Sequence, residues 1–277
     1  MTRVLLALQL VALAVGLTAC GGDALALDPV ASAATKTVEA GSSRVEVKVA
    51  MKVGGDSVDM TGSGAFDYRK ARGEATYSMQ LPMFGEVGMD MRILGTRVFI
   101  RLPEALAGAG LTGGKEWTSV DIGKSLDRSG LGGLDFSQQQ DPTQMLQYLR
   151  AASTGVTEAG SATVRGVETT RYTGRLDFRK ALDAGIEKLE LTPAERQRAQ
   201  EGMETMLDQL GGEGVPFEVF VDEDGLLRRM TMDMNMAIEG EQVSMKMSMD
   251  YFDFGVAVNV QAPAAKDVFD ATGMLRP

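Results

Sequence analysis

The side chains that could do chemistry in this chain of 277 residues are one thiol, 18 thioethers and 38 carboxylates, with no histidine beside them. Without an imidazole there is no Ser-His-Asp or Cys-His catalysis and no His-ligated metal. The single thiol, Cys20, permits no internal disulfide and no cysteine cluster. The thioethers are not scattered. Met230, Met232, Met234 and Met236 alternate with Thr231, Asp233 and Asn235, and Met245, Met247 and Met249 alternate with Lys246 and Ser248. Met51, Met60, Met79, Met89 and Met91 occupy inward positions of other alternating stretches. Thioethers accept soft metals such as Cu(I), but no His or Cys accompanies these, so no metal is expected. Met is also unbranched and polarizable, and it recurs on surfaces that adapt to varied partners. A Met-rich sheet face therefore suits acyl chains, or else it is core that helices fill.

The carboxylates carry no motif. Counting 38 of them excludes no acid–base pair, yet no pair stands out by spacing. Asp222, Glu223 and Asp224 lack the spaced ligands of an EF-hand and read as a turn. The glycines of 130–133 lack the Lys-Ser/Thr of a phosphate loop. The expectation is a protein that is not an enzyme, with no catalytic residue and no cofactor. A net charge of −10 argues against nucleic acid, which is bound through basic patches. At 44% hydrophobic and 24% charged residues the chain is globular in composition.

Cys20 ends a recognisable leader. Arg3 precedes an apolar run from Val4 to Gly16, too short for a spanning helix of about 20 residues. It has the build of a secretory signal. Leu17-Thr18-Ala19-Cys20 then resembles the bacterial lipobox. The resemblance implies cleavage before Cys20 and a diacylglyceryl thioether on its sulfur, anchoring the chain to the outer, extracytoplasmic face of the cell membrane. The expected organisation is a signal peptide over 1–19, a lipidated tether over 20–28, and one domain over 29–277.

The elements that would position the methionines follow from periodicity. Asp28-Pro29 predicts a helix start, with the helix running to about Ala40 and stopping at Gly41. Period-two alternation then predicts strands through Val45–Val53, Val58–Phe66, Ala75–Leu81, Val87–Ile93 and Val98–Leu102, an antiparallel meander. Gly62 and Gly64 fall on the apolar side of the second of these, where glycine marks a bend. Trp117 belongs to a short strand, 129–140 to a Gly/Gln-rich loop that could gate a cavity, and Asp141-Pro142 to a helix start. Residues 155–177 return to strand, a helix follows near 178–189, and Thr192-Pro193-Ala194-Glu195 opens another, carrying Met203, Met206 and Leu210. Phe217–Val221, Leu226–Ile238 and Val243–Tyr251 close the sheet, with Asp224-Gly225 in the first turn. With Gly240-Glu241 as a two-residue turn, Met236 faces Met245, Met234 faces Met247 and Met232 faces Met249.

That order of elements resembles the LolA/LolB-like lipoprotein-carrier superfold, in particular the actinobacterial LppX/LprG-type lipoproteins. Arg171-Tyr172-Thr173-Gly174-Arg175-Leu176-Asp177 before a helix, Phe220-x-Asp222-x-x-Gly225-x-Leu227-x-Arg229, and Phe252-Asp253-Phe254-Gly255 before Val260-Gln261-Ala262-Pro263 carry the resemblance over roughly residues 41–270. Phe220 stands where tryptophan is usual. The resemblance implies an α+β fold, a curved antiparallel half-barrel of about ten to eleven strands with helices over its concave face. It also implies that the concave side holds lipid. Together with the methionine alternation and the lipid anchor, this gives the expectation of an amphipathic lipid whose acyl chains lie against the twelve methionines named above and the strand faces of 45–100, with an exporter or other envelope protein as partner. The alternative is an envelope interaction or sensor protein on the same scaffold, without a stable lipid.

Overall fold

The structure is a computed structural model, and it describes residues 22–53, 56–81, 85–101, 113–124, 153–177, 192–193, 196–197, 214–238 and 241–273. Helix α1 (Gly22–Glu39) leads into a sheet of twelve strands: β1 (Ser42–Val53), β2 (Asp56–Asp67), β3 (Arg72–Leu81), β4 (Gly85–Leu94), β5 (Arg97–Arg101), β6 (Trp117–Asp121), β7 (Ser153–Val164), β8 (Val167–Leu176), β9 (Val215–Asp222), β10 (Leu227–Ile238), β11 (Glu241–Phe252) and β12 (Val268–Asp270). The spatial order is β12-β6-β5-β4-β3-β2-β1-β11-β10-β9-β8-β7. The first long strand is thus central, between β2 and β11. The chain winds outward from β1 to one edge, re-enters at the opposite edge with β7, and winds back.

This is a large, open, curved antiparallel sheet, and most of its strands are the ones the alternation predicts. Four details differ. The sheet has twelve strands because β12, too short to show a period, pairs parallel with β6. The stretch 155–177 is a hairpin, β7–β8, turning at Arg165-Gly166 with φ of 51° and 82°. That is the both-positive backbone of a type I′ turn, made with an arginine where Asn or Asp is the usual signal. Helix α1 reaches back to Gly22, through most of the expected tether, and holds Pro29 in its interior rather than at its start. Ala24, Leu25, Ala26 and Leu27 are good helix formers, so the helix continues past the proline at the cost of one hydrogen bond. It ends at Gly41 (φ 87°), whose amide bonds back to the Val38 carbonyl.

The fourth difference is the register of the methionine hairpin. Met234 pairs with Met245, Met232 with Met247 and Met230 with Met249, while Met236 pairs with Val243. Ile238 pairs with Glu241, so Glu241 belongs to β11 and not to the turn. The register therefore slips by two residues against the expectation. A slip of two leaves every side chain on its own face, whereas a slip of one would invert them all.

Among the described residues the apolar side of the sheet has one helical cover. Helix α1 packs on β7, β9 and β10. Ala33 sits in a buried cluster with Val156, Tyr172, Phe217, Val219 and Val221, and Val30, Leu176, Leu227, Met230 and Met232 pack around it. The loop over 129–140 and the helices expected at 141–149, 178–189 and most of 192–210 lie outside the described residues.

Candidate functional site

Three cross-strand ladders on the apolar face define the site. The first runs Met247, Val49, Met60, Met79, Val87; the second Met249, Val47, Gly62, Tyr77, Met89; the third Tyr251, Val45, Gly64, Ala75, Met91. In the second and third ladders the row of large side chains is interrupted on β2 and β3 by Gly62, Gly64 and Ala75. Directly opposed residues normally fill such a surface together. Here the gap makes a hollow of about 510 Å³.

The gap is built into the backbone. A Cβ on Gly64 would lie 2.1 Å from the Glu74 carbonyl oxygen and 2.7 Å from the Ala75 Cβ. A Cβ on Gly62 would lie 2.4 Å from the Tyr77 ring. Strand β3 bends against β2 so closely that no side chain fits between them. Tyr77 lies over its glycine partner, the pairing by which an aromatic ring covers an unsupported main chain.

Met247, Met249, Val45 and Val47 wall the hollow on one side, and Met89, Met91 and Ile93 on the other. Met60 and Tyr77 line one end of the floor, and Phe66, Tyr68 and Tyr251 the other. Ser63, Ala65 and Glu74 also border it, but strand alternation turns their side chains to the opposite face. Among the described residues no lysine or arginine lines it. Its polar groups are phenols. The Tyr68 hydroxyl shares a 2.5 Å hydrogen bond with the Ser43 hydroxyl, and Ser43 is fully buried. Burial pushes the Tyr68 phenol above its ordinary range, against the opposing pull of that hydrogen bond. Burial does the same to Tyr77. It raises Tyr251 furthest, with the nearby Tyr68 phenol adding to the shift.

Of the twelve expected methionines, Met60, Met89, Met91, Met247 and Met249 line the hollow. Met230 and Met232 instead lean on the α1 cluster. Met51, Met79, Met234 and Met245 share the apolar face, half-buried, outside the hollow. Met236 is placed by its strand pairing alone. Cys20 lies outside the described residues. Of the other lining residues, Val45, Val47, Phe66 and Tyr77 lie on the strand faces of 45–100 that the alternation assigns to the acyl chain, while sequence reasoning leaves Tyr68 and Tyr251 unnamed. Parity could have found Tyr251, which continues the series of Met245, Met247 and Met249.

A larger hollow of about 890 Å³ lies on the polar face, bordered by Lys48, Asp59, Glu218, Thr231, Asp233 and Lys246. Most of its charges pair with neighbours: Lys246 with Asp233 at 3.3 Å, Glu218 with Arg171 at 3.4 Å and Lys48 with Glu46 at 3.0 Å. Such exposed pairs are solvated and contribute little; Val49, Met60, Phe217, Met232 and Met247 also border this hollow, so its charged rim, not a want of apolar surface, sets it apart from the first. The same face carries the tip of the β7–β8 hairpin, where Arg165 lies 3.0 Å from Glu46 and 3.9 Å over the Phe252 ring. Beside it Arg229 grips Asp250 through two bonds of 2.5 and 2.7 Å. Among the described residues no group of three or more acidic or Cys side chains could hold a metal. No described helix is long and apolar enough to cross a membrane.

No family model matches the chain. A protein of Streptomyces griseus, described as an uncharacterized 31.2 kDa protein from the rplA-rplJ intergenic region, is 26% identical over 197 residues. The match covers 69% of this chain but only 59% of that protein's length. Among solved structures, the Mycobacterium tuberculosis lipoprotein LppX aligns with 84% of this chain and 100% of its own, at 17% identity and a TM-score of 0.42. LprF from Mycobacterium bovis aligns with 88% of this chain and 100% of its own, at 15% identity and 0.43. A lipoprotein-sorting protein domain, described as a putative outer membrane one, from Vibrio parahaemolyticus aligns with 83% of this chain and 93% of its own, at 10% identity and 0.30. These structural neighbours are of the LppX and lipoprotein-sorting kinds whose motifs the sequence resembles. Likeness at these scores says nothing about a ligand; the hollow has to speak for itself.

Proposed function

We propose that this is a non-enzymatic, lipid-anchored envelope protein that binds or carries an amphipathic lipid, with acyl chain in the hollow of the apolar face. The observation that carries the proposal is the hollow itself. At about 510 Å³ it falls within the about 300–1,000 Å³ of small-molecule sites. The described side chains turned toward it are apolar apart from three phenols. Transfer of apolar chain from water into it is favourable by roughly 0.8 kcal/mol per buried methylene, and the flexible methionine walls fit chains of differing shape. Burying an ionised group there would cost far more than the hydrophobic gain. The membrane is the source or destination of such a cargo. Cys20, lipidated, would hold the protein beside it, since two acyl chains together give stable anchoring.

The test is native mass spectrometry of the chain lacking residues 1–20, purified without detergent from a membrane-containing host. The expected result is a second species heavier by one lipid. A single apo mass that stays unchanged after lipids are added would overturn the proposal and leave the interaction or sensor reading.

A further inference from the structure

The hollow has a polar pole, and its chemistry narrows the ligand. This inference rests on the lipid-binding reading and deepens it. Tyr251 and Tyr68 both line one end. Their situations differ. The Tyr68 hydroxyl is taken up by Ser43 at 2.5 Å. The Tyr251 hydroxyl bonds to no described residue. It is not sealed away either, because Ser119 carries the only fully enclosed, unpartnered side-chain oxygen among the described residues. A phenol this desolvated, yet still reachable, is a donor awaiting an acceptor. The charge of that acceptor follows from the lining. With no lysine or arginine among the described residues around the hollow, a carboxylate or phosphate at this end meets no described counter-charge, and burying it unpaired is costly. A neutral oxygen meets the phenol without that penalty.

We propose that Tyr251 is a specificity-determining residue that hydrogen-bonds a neutral oxygen of the lipid, an alcohol or an ester carbonyl, so that the hollow prefers uncharged oxygenated lipids to bare hydrocarbons and to lipid anions. The acyl chain then runs from the Tyr251 end along Gly64 and Gly62 toward Met60. Tyr68, already occupied, holds the Ser43 side of the pole in place.

The experiment uses the purified full chain at a detergent concentration below micelle formation, with an environment-sensitive apolar dye bound in the hollow. Three competitors of equal chain length displace it: a straight-chain alcohol, the alkane, and the fatty-acid anion at neutral pH. The alcohol should compete best. Tyr251→Phe keeps the ring and removes the donor; it should weaken the alcohol about fivefold, the worth of one net hydrogen bond of about 1 kcal/mol. The alkane, which also reports that the variant is folded, should be unaffected. Equal competition by alcohol and alkane, tightest binding by the anion, or an unchanged alcohol affinity in Tyr251→Phe would each overturn the specificity while sparing the hollow. If none of the three competes, both the specificity and the lipid-binding reading fall.

Discussion

The apolar face of this sheet is treated differently at its two ends. Toward β7–β10 it carries Val156, Tyr172, Phe217, Val219 and Val221, all buried, under Ala33 of α1. Toward β1–β4 and β11 it carries Met60, Met89, Met91, Met247, Met249 and two glycines, and the methionines are only half-buried. The alternation in sequence is the same at both ends. Residue shape is not. β-Branched and aromatic side chains pack a pleated surface well, and Phe217 closes over Gly174, where a Cβ would lie 2.8 Å from its ring. Glycines leave space, and methionines tolerate whatever fills it. Among the described residues, α1 finishes one end as core by packing on β7, β9 and β10, and leaves the other end to methionine and glycine.

Truncations at the two ends put that contrast to its hardest test. Phe217→Ala should destabilise the protein by about 3–5 kcal/mol, as for other large buried aromatics. Met249→Ala, in the hollow, should cost about 1 kcal/mol, below the range for fully buried methionine. Urea unfolding reads both. Equal losses would mean that the hollow is ordinary core, and the division of the face into two kinds of surface would fail. A smaller effect divides the methionines themselves. Met247→Asp puts a charge into the hollow and should abolish lipid retention in native mass spectrometry, because an unpaired carboxylate there costs several kcal/mol. Met234→Asp, on the same face but outside the lining, should keep most of the bound lipid. Loss from both would return the site to the whole methionine face.

Much of this was legible in the sequence, because the alternation that marks a strand also assigns its faces. The methionines of β10 and β11 fall on one face in any register that differs by an even number, which is why a turn that took in Glu241 shifted the pairing without exposing the face. The hollow was harder to read. Gly62 and Gly64 announced a bend, but only the pairing of Gly64 with Ala75 and of Gly62 with Tyr77 shows that the small residues lie side by side across two strands. A gap in a sheet belongs to the pairing, not to either strand. The tyrosine pole was missed for a related reason. Tyr68 follows the end of β2 in sequence, and its meeting with Ser43 and Tyr251 depends on β1 being the central strand. The Arg165-Gly166 turn carried only half a signal, since Gly166 suits its positive φ while the arginine opposes it.

The smallest effect expected at neutral pH is that of Tyr251→Phe on stability, under about 1 kcal/mol, because its hydroxyl makes no described hydrogen bond to lose. At high pH the same substitution becomes informative. Tyr68, Tyr77 and Tyr251 all have phenols raised by burial in the folded chain, while an unfolded tyrosine ionises near about 10. Below that pH both states are protonated and the phenols give stability no pH dependence. Above it the unfolded chain releases protons that the folded chain retains, so stability falls as pH rises, by up to about 1.4 kcal/mol per unit for each raised phenol. The loss stops for each group once its folded value is passed. Tyr251→Phe removes the phenol with the largest shift, so its stability should decline less steeply above that pH than that of the unaltered protein. Phenolate absorbance and urea unfolding, followed together, read both quantities. A slope unchanged by the substitution would show that Tyr251 is in contact with water as freely as an unfolded tyrosine, and the hollow would then have no desolvated pole to distinguish it from the packed end.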